Sequence, residues 1–161
     1  MRLSERELRD RYSEWIAVNM GDCDELAFLT CTLRQGIKHP WGWVRLSEED
    51  ADSALTVFLK KLDQHVYGTA GSKRYSRYLR SADVMEGNDG KVDRLHRHLL
   101  IEVPTSRITF ERFANLIECT WPKIHWGYKV LKIERCENVH AVSQYIVKTG
   151  GSALRLRTTR F

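Results

Sequence analysis

A chain of 161 residues is long enough for one domain with a sizeable hydrophobic core, and 42% hydrophobic with 29% charged residues is ordinary for a soluble globular protein. No apolar run could span a bilayer and the first residues show no signal-peptide pattern, so we expect a cytoplasmic protein with no membrane partner. The net charge of +5 is compatible with a polyanionic partner but does not require one.

The four cysteines argue against a zinc site. They are Cys23, Cys31, Cys119 and Cys136, and their spacings match no zinc-binding pattern. We expect reduced thiols, with Cys31 and Cys136 packed in strands and Cys23 in a loop.

The chain begins with a predicted helix and strand. A capping box at residues 4–7 opens the helix, whose apolar stripe includes Trp15 and Ile16 and which Gly21 ends. We expect residues 1–22 to be an N-terminal extension that packs against the sheet. Residues 26–33 follow as a half-buried strand, because threonines alternate there with leucine and cysteine.

Residues 35–44 contain one proline and two glycines and are predicted to be a loop. Its tryptophans, Trp41 and Trp43, either stack on unpaired bases or cover the edge of the core, and the sequence favours neither. A core-facing helix follows from the N-cap Ser47, with apolar residues at a period of 3.6 as far as Gly68.

Cations alternate with aromatic rings in residues 68–80, at Lys73, Arg74, Tyr75, Arg77, Tyr78 and Arg80. Single-stranded nucleic acids are bound by such a combination, with cations for the phosphates and rings for the bases. The alternative is a solvated segment with ordinary lysine and arginine usage. The histidine pair that follows makes us favour DNA contact.

Two strands, residues 81–86 and 95–103, flank the turn sequence Asn-Asp-Gly at residues 88–90, which predicts a β-hairpin. His96 and His98 are two residues apart, so both imidazoles lie on the same face of their strand. If the turn is centred near Lys91, Glu86 faces His96 and its carboxylate joins the two rings.

Two imidazoles and one carboxylate with open coordination positions suit a divalent cation used in catalysis, such as Mn²⁺ or Mg²⁺. A register slip of one residue would move Glu86 to the other face. Asp89 and Glu102 are the alternatives for the third ligand.

A helix capped by Thr109 and ended by Pro122 follows, and then a strand over residues 128–135. The next helix runs from the N-cap Asn138 to glycines 150 and 151. Its Tyr145 and Lys148 are neighbours on one face, and a tyrosine beside a lysine near a metal is a nucleophile arrangement. Residues 152–161 form a basic tail that is either a last strand, a basic arm or the point where a longer protein was cut.

The order of elements is helix, strand, helix, strand, strand, helix, strand, helix. We therefore predict an α+β fold, with helices packed on an antiparallel sheet in the split β-α-β arrangement of ferredoxin and RNA-recognition folds. Residues 1–161 form one domain in this interpretation.

The pair His96-Arg97-His98 followed by Tyr145-x-x-Lys148 resembles the HUH endonucleases, in particular the single-tyrosine initiators of rolling-circle replication in small single-stranded DNA viruses, phages and plasmids. That family has three ordered motifs: a strand similar to residues 28–33, the histidine pair, and a Tyr-x-x-Lys helix. All three occur here in that order. The residue between the histidines is usually bulky and apolar. Arg97 in its place suggests that the opposite face is partly exposed or contacts DNA.

The resemblance implies sequence-specific nicking and rejoining of single-stranded DNA at a replication origin, with a hairpin near the site. The cation held by His96, His98 and Glu86 would polarise the scissile phosphate. Tyr145 would attack it, giving a 5′-phosphotyrosine and a free 3′-hydroxyl. Because free tyrosine has a pKa of ~10, Lys148 would assist by lowering this pKa or by neutralising developing charge. The setting would be the cytoplasm, or the host nucleus for a virus of a eukaryote.

Two other classes remain, a nucleic-acid-binding module and a transposase or relaxase of the same superfamily. A non-catalytic nucleic-acid-binding module fits the fold but does not explain the histidines, Glu86 and Tyr145 together. Single-tyrosine transposases share the motif order, whereas relaxases place the tyrosine before the histidines. The chain has no phosphate-binding loop of a helicase, so a helicase would come from a further region of the protein or from the host.

Overall fold

The computed structural model of the protein describes residues 3–73, 77–87, 94–148 and 154–161. The helices are α1 (Glu5–Met20), α2 (Glu48–Lys73), α3 (Phe110–Thr120) and α4 (Val139–Ile146), and the strands are β1 (Leu26–Leu33), β2 (Gly36–His39), β3 (Gly42–Arg45), β4 (Ser81–Glu86), β5 (His96–Glu102) and β6 (Gly127–Arg135). The α+β prediction is confirmed. Outside the described residues lie Arg74, Tyr75, Asp89, the turn at residues 88–90 and the helix stop at residues 150–151.

The main sheet has four antiparallel strands in the order β4-β5-β1-β6. Strand β5 lies between β1 and β4, and α2 connects β1 and its hairpin to β4. This is the split β-α-β arrangement. It places the histidine strand, β5, in the interior of the sheet and directly beside β1.

Helices cover both faces of the sheet. On one face α2 and α3 bury an apolar core that includes Leu29, Leu99, Phe58 and Phe113. On the other face α1 and α4 pack over a smaller apolar cluster that contains Ile16, Leu100 and Ile146. The predicted packing of the N-terminal helix against the sheet is therefore confirmed. No helix of the described chain is both long and apolar enough to cross a membrane.

The predicted helix starts agree with the structure, whereas α2 continues to Lys73 and α4 ends at Ile146, before the predicted stop at residues 150–151. The side chains of Ser4, Thr109 and Asn138 accept hydrogen bonds from backbone N–H groups in the first turns of α1, α3 and α4. Gly68, with a φ of +79°, interrupts α2 where the helix was predicted to end. Trp15 is 39% exposed rather than fully within the stripe of α1, and its ring packs edge-on against Phe161.

The predicted loop at residues 35–44 is instead largely a β-hairpin. Strands β2 and β3 pair antiparallel, with His39 facing Gly42 across a two-residue connection. The proline and glycine residues that indicated a loop instead help to form the turn of this hairpin. Gly42 has a φ of +141°, a value that favours glycine. Ile37 and Val44 face each other and pack against the main core, which stabilises the hairpin.

The cysteines are free thiols. Cys31 is buried in β1 as predicted, and burial raises the pKa of its thiol. Cys136 follows the last residue of β6, so the prediction that it lies within a strand was wrong by one position. Its backbone N–H still donates to the carbonyl of Leu26, next to the sheet.

Phe58→Ala tests the core between α2 and the sheet. Phe58 is fully buried and packs edge-on against Trp121, with ring centroids 5.1 Å apart. We expect the substitution to lower the free energy of unfolding by about 3–5 kcal/mol, measured by urea denaturation. Val57→Ala, on the exposed side of the same helix, is the control and should change it by less than about 1 kcal/mol. Equal losses in the two variants would contradict this packing.

Candidate metal centre and nucleophile

The register of the β4–β5 hairpin brings the three predicted ligands together. Glu86 faces His96 across the two strands, and Val84 faces His98. On the other side of β5, Thr32 faces His96 and Thr30 faces His98. Facing residues of antiparallel strands project from the same face, so Glu86 and both histidines share one face, as predicted.

The ligand atoms converge closely. Glu86 Oε2 lies 3.5 Å from His96 Nε2 and 3.3 Å from His98 Nε2. One ligand atom from each residue lies within 4.8 Å of the others, a separation that one cation can bridge. The alternative ligand Glu102 instead accepts a hydrogen bond from the backbone N–H of Arg80, at 3.2 Å. These three residues can therefore hold a divalent cation.

Hydrogen bonds to the far ring nitrogens orient the imidazoles. His96 Nδ1 lies 2.8 Å from the carbonyl oxygen of Arg94. A carbonyl only accepts, so Nδ1 carries the proton and the lone pair of Nε2 points to the ligand cluster. His98 Nδ1 lies 3.1 Å from the hydroxyl of Thr30, which can accept in the same way. Sequence reasoning missed both partners.

Burial also favours the metal-binding form of His98. This residue is only 4% exposed, and burial together with the positive charge of Lys148 and the neighbouring His96 lowers the pKa of its ring, against the opposing effect of Glu86. The ring therefore stays neutral at a more acidic pH than a free histidine would. A neutral imidazole is the form that binds a metal.

Thr30→Val tests the orientation of His98. Valine retains the shape of threonine but has no hydroxyl to accept from Nδ1, so the ring loses its orienting partner. We expect the affinity for Mn²⁺, measured by isothermal titration calorimetry, to fall by about tenfold. Thr56→Val is the control, because Thr56 lies on α2 and its hydroxyl donates to the Asp52 carbonyl. An unchanged Mn²⁺ affinity in Thr30→Val would show that Thr30 does not orient His98.

Tyr145 lies next to this cluster. Its ring packs edge-on against His98 and against Phe28, with centroid distances of 5.6 and 5.9 Å. Neighbouring Ile146 is fully buried against the sheet, whereas Tyr145 is 47% exposed. Helix α4 thus anchors the tyrosine beside a candidate metal ligand and leaves its side chain half exposed.

Lys148 connects the tyrosine with the ligand cluster. Helix α4 ends at Ile146, so Lys148 lies just beyond the helix. Its Nζ is 3.8 Å from the centre of the Tyr145 ring and 3.9 Å from Glu86 Oε2. Arg9 of α1 donates to the Lys148 carbonyl at 3.1 Å, a contact between distant segments that sequence reasoning missed.

Two shallow grooves adjoin the cluster along β1 and β6. One, of about 540 Å³, is lined by Tyr145, His98, Lys132 and neighbouring residues. The other, of about 410 Å³, is lined by His96, Arg94 and three further residues. Thr30 lines both, so they form one open surface that passes the ligands. Sequence reasoning missed Arg94 and Lys132 as cations of this surface. A signal was available for Lys132, because it shares its face of strand β6 with polar neighbours.

The predicted DNA-binding residues lie elsewhere. Lys73, Arg77 and Tyr78 help to line a separate cavity of about 620 Å³ beside the C-terminal residues. Arg80 forms an ion pair of 2.7 Å with Asp22 and lies 3.5 Å from Glu102. None of these residues lines either groove beside the ligand cluster.

The two tryptophans project from the β2–β3 hairpin. Trp41 is 78% and Trp43 is 64% exposed. Trp41 stacks on His39, with ring centroids 4.6 Å apart. Contact of these rings with DNA stays a prediction.

Arg97 differs from the sequence-based expectation. It projects from the face opposite the ligands, as predicted, but it is fully buried rather than partly exposed, so a DNA contact from this side chain is excluded in the folded protein. Its guanidinium instead forms ion pairs with Asp83 of β4 and Asp52 of α2. Burial within an ionic network accounts for a charge at a position where an apolar side chain was expected.

On one face of the sheet, the structure therefore combines a candidate metal-ligand triad, a half-exposed tyrosine and a lysine. Metal-assisted transfer of a phosphoryl group to an oxygen nucleophile uses groups of these kinds. Comparison of the chain with models of protein families, with curated proteins and with solved structures finds no match.

Proposed function

We propose that this protein nicks and rejoins single-stranded DNA at a replication origin through a covalent link to Tyr145, using Mn²⁺ or Mg²⁺. The observation that carries the proposal is the position of Tyr145, whose half-exposed ring contacts one of three convergent metal ligands. The motif resemblance supplies the polarity of cleavage and the biological setting.

His96, His98 and Glu86 would hold the cation. When bound, such an ion polarises a non-bridging oxygen of the scissile phosphate and offsets the charge of the transition state. With two imidazoles and one carboxylate as ligands, a divalent cation would retain net positive charge and could also accept phosphate oxygens. The orientation of His96 by the Arg94 carbonyl supports this role.

Tyr145 is the nucleophile in this proposal. Its phenolic oxygen forms a bond to phosphorus while the bond from phosphorus to the 3′ oxygen breaks. The tyrosine proton leaves to solvent, and the departing 3′ oxygen takes up a proton to become a hydroxyl. One phosphodiester bond is exchanged for another, so the reverse reaction rejoins the strand without ATP.

Lys148 supports the attack electrostatically. Its ammonium group lies 3.8 Å from the centre of the Tyr145 ring, so its positive charge is close to the side chain that attacks. The same charge favours the negative charge that develops on the phosphate.

The open surface along β1 and β6 is the proposed path of the DNA strand. Arg94 lines the groove that contains His96, and Lys132 lines the groove that contains His98, so both cations can contact backbone phosphates. Lys132 is 68% exposed, although its Nζ also lies 3.0 Å from Glu134.

A covalent-capture assay tests the proposal. The protein is mixed with single-stranded DNA that has a randomised core and a label at either the 3′ or the 5′ end, with Mn²⁺ or with a chelator. We expect a shifted protein band on a denaturing gel that needs the metal and carries only the 3′ label, because the protein stays on the 5′ phosphate of the downstream fragment.

Other outcomes would contradict the proposal in different ways. Retention of the 5′ label alone would reverse the polarity of cleavage. The absence of an adduct, together with a melting temperature that Mn²⁺ does not change, would leave a non-catalytic nucleic-acid-binding module as the better account. The captured sequence separates an origin-like site from a transposon end.

A further inference from the structure

The apolar pattern of the sequence does little to fix the register between β4 and β5, the strands that carry the three candidate metal ligands. Glu86 is the last residue of β4 and His96 is the first residue of β5. The connection between them spans residues 87–95, and such a long connection does not set the pairing register as a two-residue turn does.

Burial alone does not determine which face of β4 carries Glu86. Val84, on the ligand face, and Met85, on the opposite face, are both buried. An apolar side chain is thus buried on each face at this end of β4, so these two residues do not select one register, and a slip of one residue would turn Glu86 away from the histidines.

The contacts of Arg97 depend on which face of β4 carries Glu86. It lies between the two histidine ligands and faces Met85, the neighbour of Glu86. Its fully buried guanidinium contacts Asp83 of β4 and lies 2.5 Å from Asp52 of α2. A one-residue slip would carry Asp83 to the ligand face and break its pair with Arg97.

The C-terminal residues 154–161 hold these two carboxylates from the other side. Thr158 donates to Asp83 at 2.6 Å, and Arg155 Nη2 lies 2.7 Å from Asp52. The backbone N–H of Arg155 donates to the carbonyl of Asp83, and Arg160 pairs with Ser81, so the segment borders the outer edge of β4. Residues 154–161 are therefore not a further strand but a segment with two isolated bridges to β4 on either side of a turn at residues 156–158, and Arg155 and Arg160 both pair with carboxylates.

The network is poorly suited to stability alone. Within the described residues, Arg97 Nε and Asp83 Oδ1 are buried without a hydrogen-bond partner. Replacing a buried ion pair with well-packed apolar residues is often neutral or stabilising, so such a pair is weak evidence for a role in stability, and selecting one strand arrangement is a role that it can have.

We propose that Arg97 is a positioning residue for the metal centre, whose ion pairs with Asp83 and Asp52 set the β4–β5 register that places Glu86 beside the two histidines. The inference rests on the proposed metal site, but it concerns a residue on the opposite face that touches neither metal nor substrate.

The test compares Arg97→Met with the double variant Arg97→Met/Asp83→Asn. The single variant leaves the Asp83 carboxylate buried without its cation and is expected to fold poorly. The double variant removes both charges, while the asparagine oxygen still accepts from Thr158. Leu62→Ala is the control, because it destabilises the same core from α2 without touching the network.

We expect the double variant to fold, to bind Mn²⁺ at least tenfold more weakly in calorimetry, and to lose the NMR contacts between the facing pairs Glu86–His96 and Val84–His98. Leu62→Ala should melt at a lower temperature with an unchanged Mn²⁺ affinity. A double variant that folds and keeps its Mn²⁺ affinity and strand contacts would overturn the inference. So would one that fails to fold, because the pair would then be a general requirement of the fold.

The NMR contacts also separate this inference from the proposed function. If the unaltered protein binds no Mn²⁺, the proposed function fails. Loss of the strand contacts in the double variant would still establish that Arg97 sets the register, and their retention would exclude it.

Discussion

Tyr145→Phe is expected to abolish the covalent protein–DNA adduct, lowering the rate of nicking by a factor of at least about 10³. The substitution removes only the phenolic oxygen. The ring keeps its edge-on contacts with His98 and Phe28, so the surroundings of the ligand cluster should not change. The measurement is the yield of metal-dependent adduct with a captured DNA substrate on a denaturing gel.

Tyr128→Phe is the matched control for this prediction. Tyr128 is another tyrosine and lies on β6. Its hydrogen bond and charge contact with Arg94 lower the pKa of its hydroxyl, which makes it an alternative candidate for the nucleophile. We expect this variant to form the adduct normally. A Tyr145→Phe protein that still forms the adduct, or a Tyr128→Phe protein that does not, would assign the nucleophile elsewhere.

His98→Ala is expected to lower the affinity for Mn²⁺ by more than about 100-fold, because it deletes a ligand rather than a group that merely orients one. Nicking should fall in parallel. The variant also removes a buried ring that stacks on Phe28, so its melting temperature without metal should decrease as well. Calorimetry with Mn²⁺, performed on protein whose folding has been checked by circular dichroism, measures the affinity directly.

Two companion variants separate ligation from folding. Glu86→Gln retains the size of the third ligand but removes its charge, and it should weaken Mn²⁺ binding with little loss of stability. His140→Ala replaces an exposed histidine of α4 and should leave Mn²⁺ binding unchanged. If His98→Ala and His140→Ala bound Mn²⁺ equally well, the ligand assignment would be wrong.

The convergence of the ligands was predictable from local rules. The period of two along a strand places His96 and His98 on one face, and a hairpin centred near residue 91 places Glu86 opposite His96. The position of Tyr145 beside the histidines was not derivable in this way. It depends on the packing of α4 over the sheet, and only the motif resemblance pointed to it.

Long-range partners were beyond sequence reasoning. Arg97 pairs with Asp52, which is 45 residues away, and Arg9 contacts the carbonyl of Lys148 at a separation of 139 residues. Local periodicity carries no information about such pairs. The hydrogen bond between Thr30 and His98 likewise requires the β1–β5 register, which depends on the whole topology.

Predictions made from composition alone did not account for the topology of the fold. Proline and glycine in residues 35–44 suggested a loop, but they form the turn of a hairpin whose apolar residues pack on the core. The cations of residues 73–80 directly precede β4, the strand that carries Glu86. In the structure Arg80 is paired with Asp22, and Lys73 and Arg77 line a cavity apart from the ligand cluster. Sequence proximity therefore did not place them in the grooves beside the ligands.

Peptide mass spectrometry of the protein–DNA adduct tests the central claim most directly. The adduct is formed with Mn²⁺, its DNA is digested to a short nucleotide remnant, and the protein is cleaved with trypsin. We predict that the remnant is attached through a phosphate to Tyr145, and that no such peptide forms when a chelator replaces Mn²⁺. A remnant on another residue, or an adduct whose yield does not depend on metal, would contradict the account.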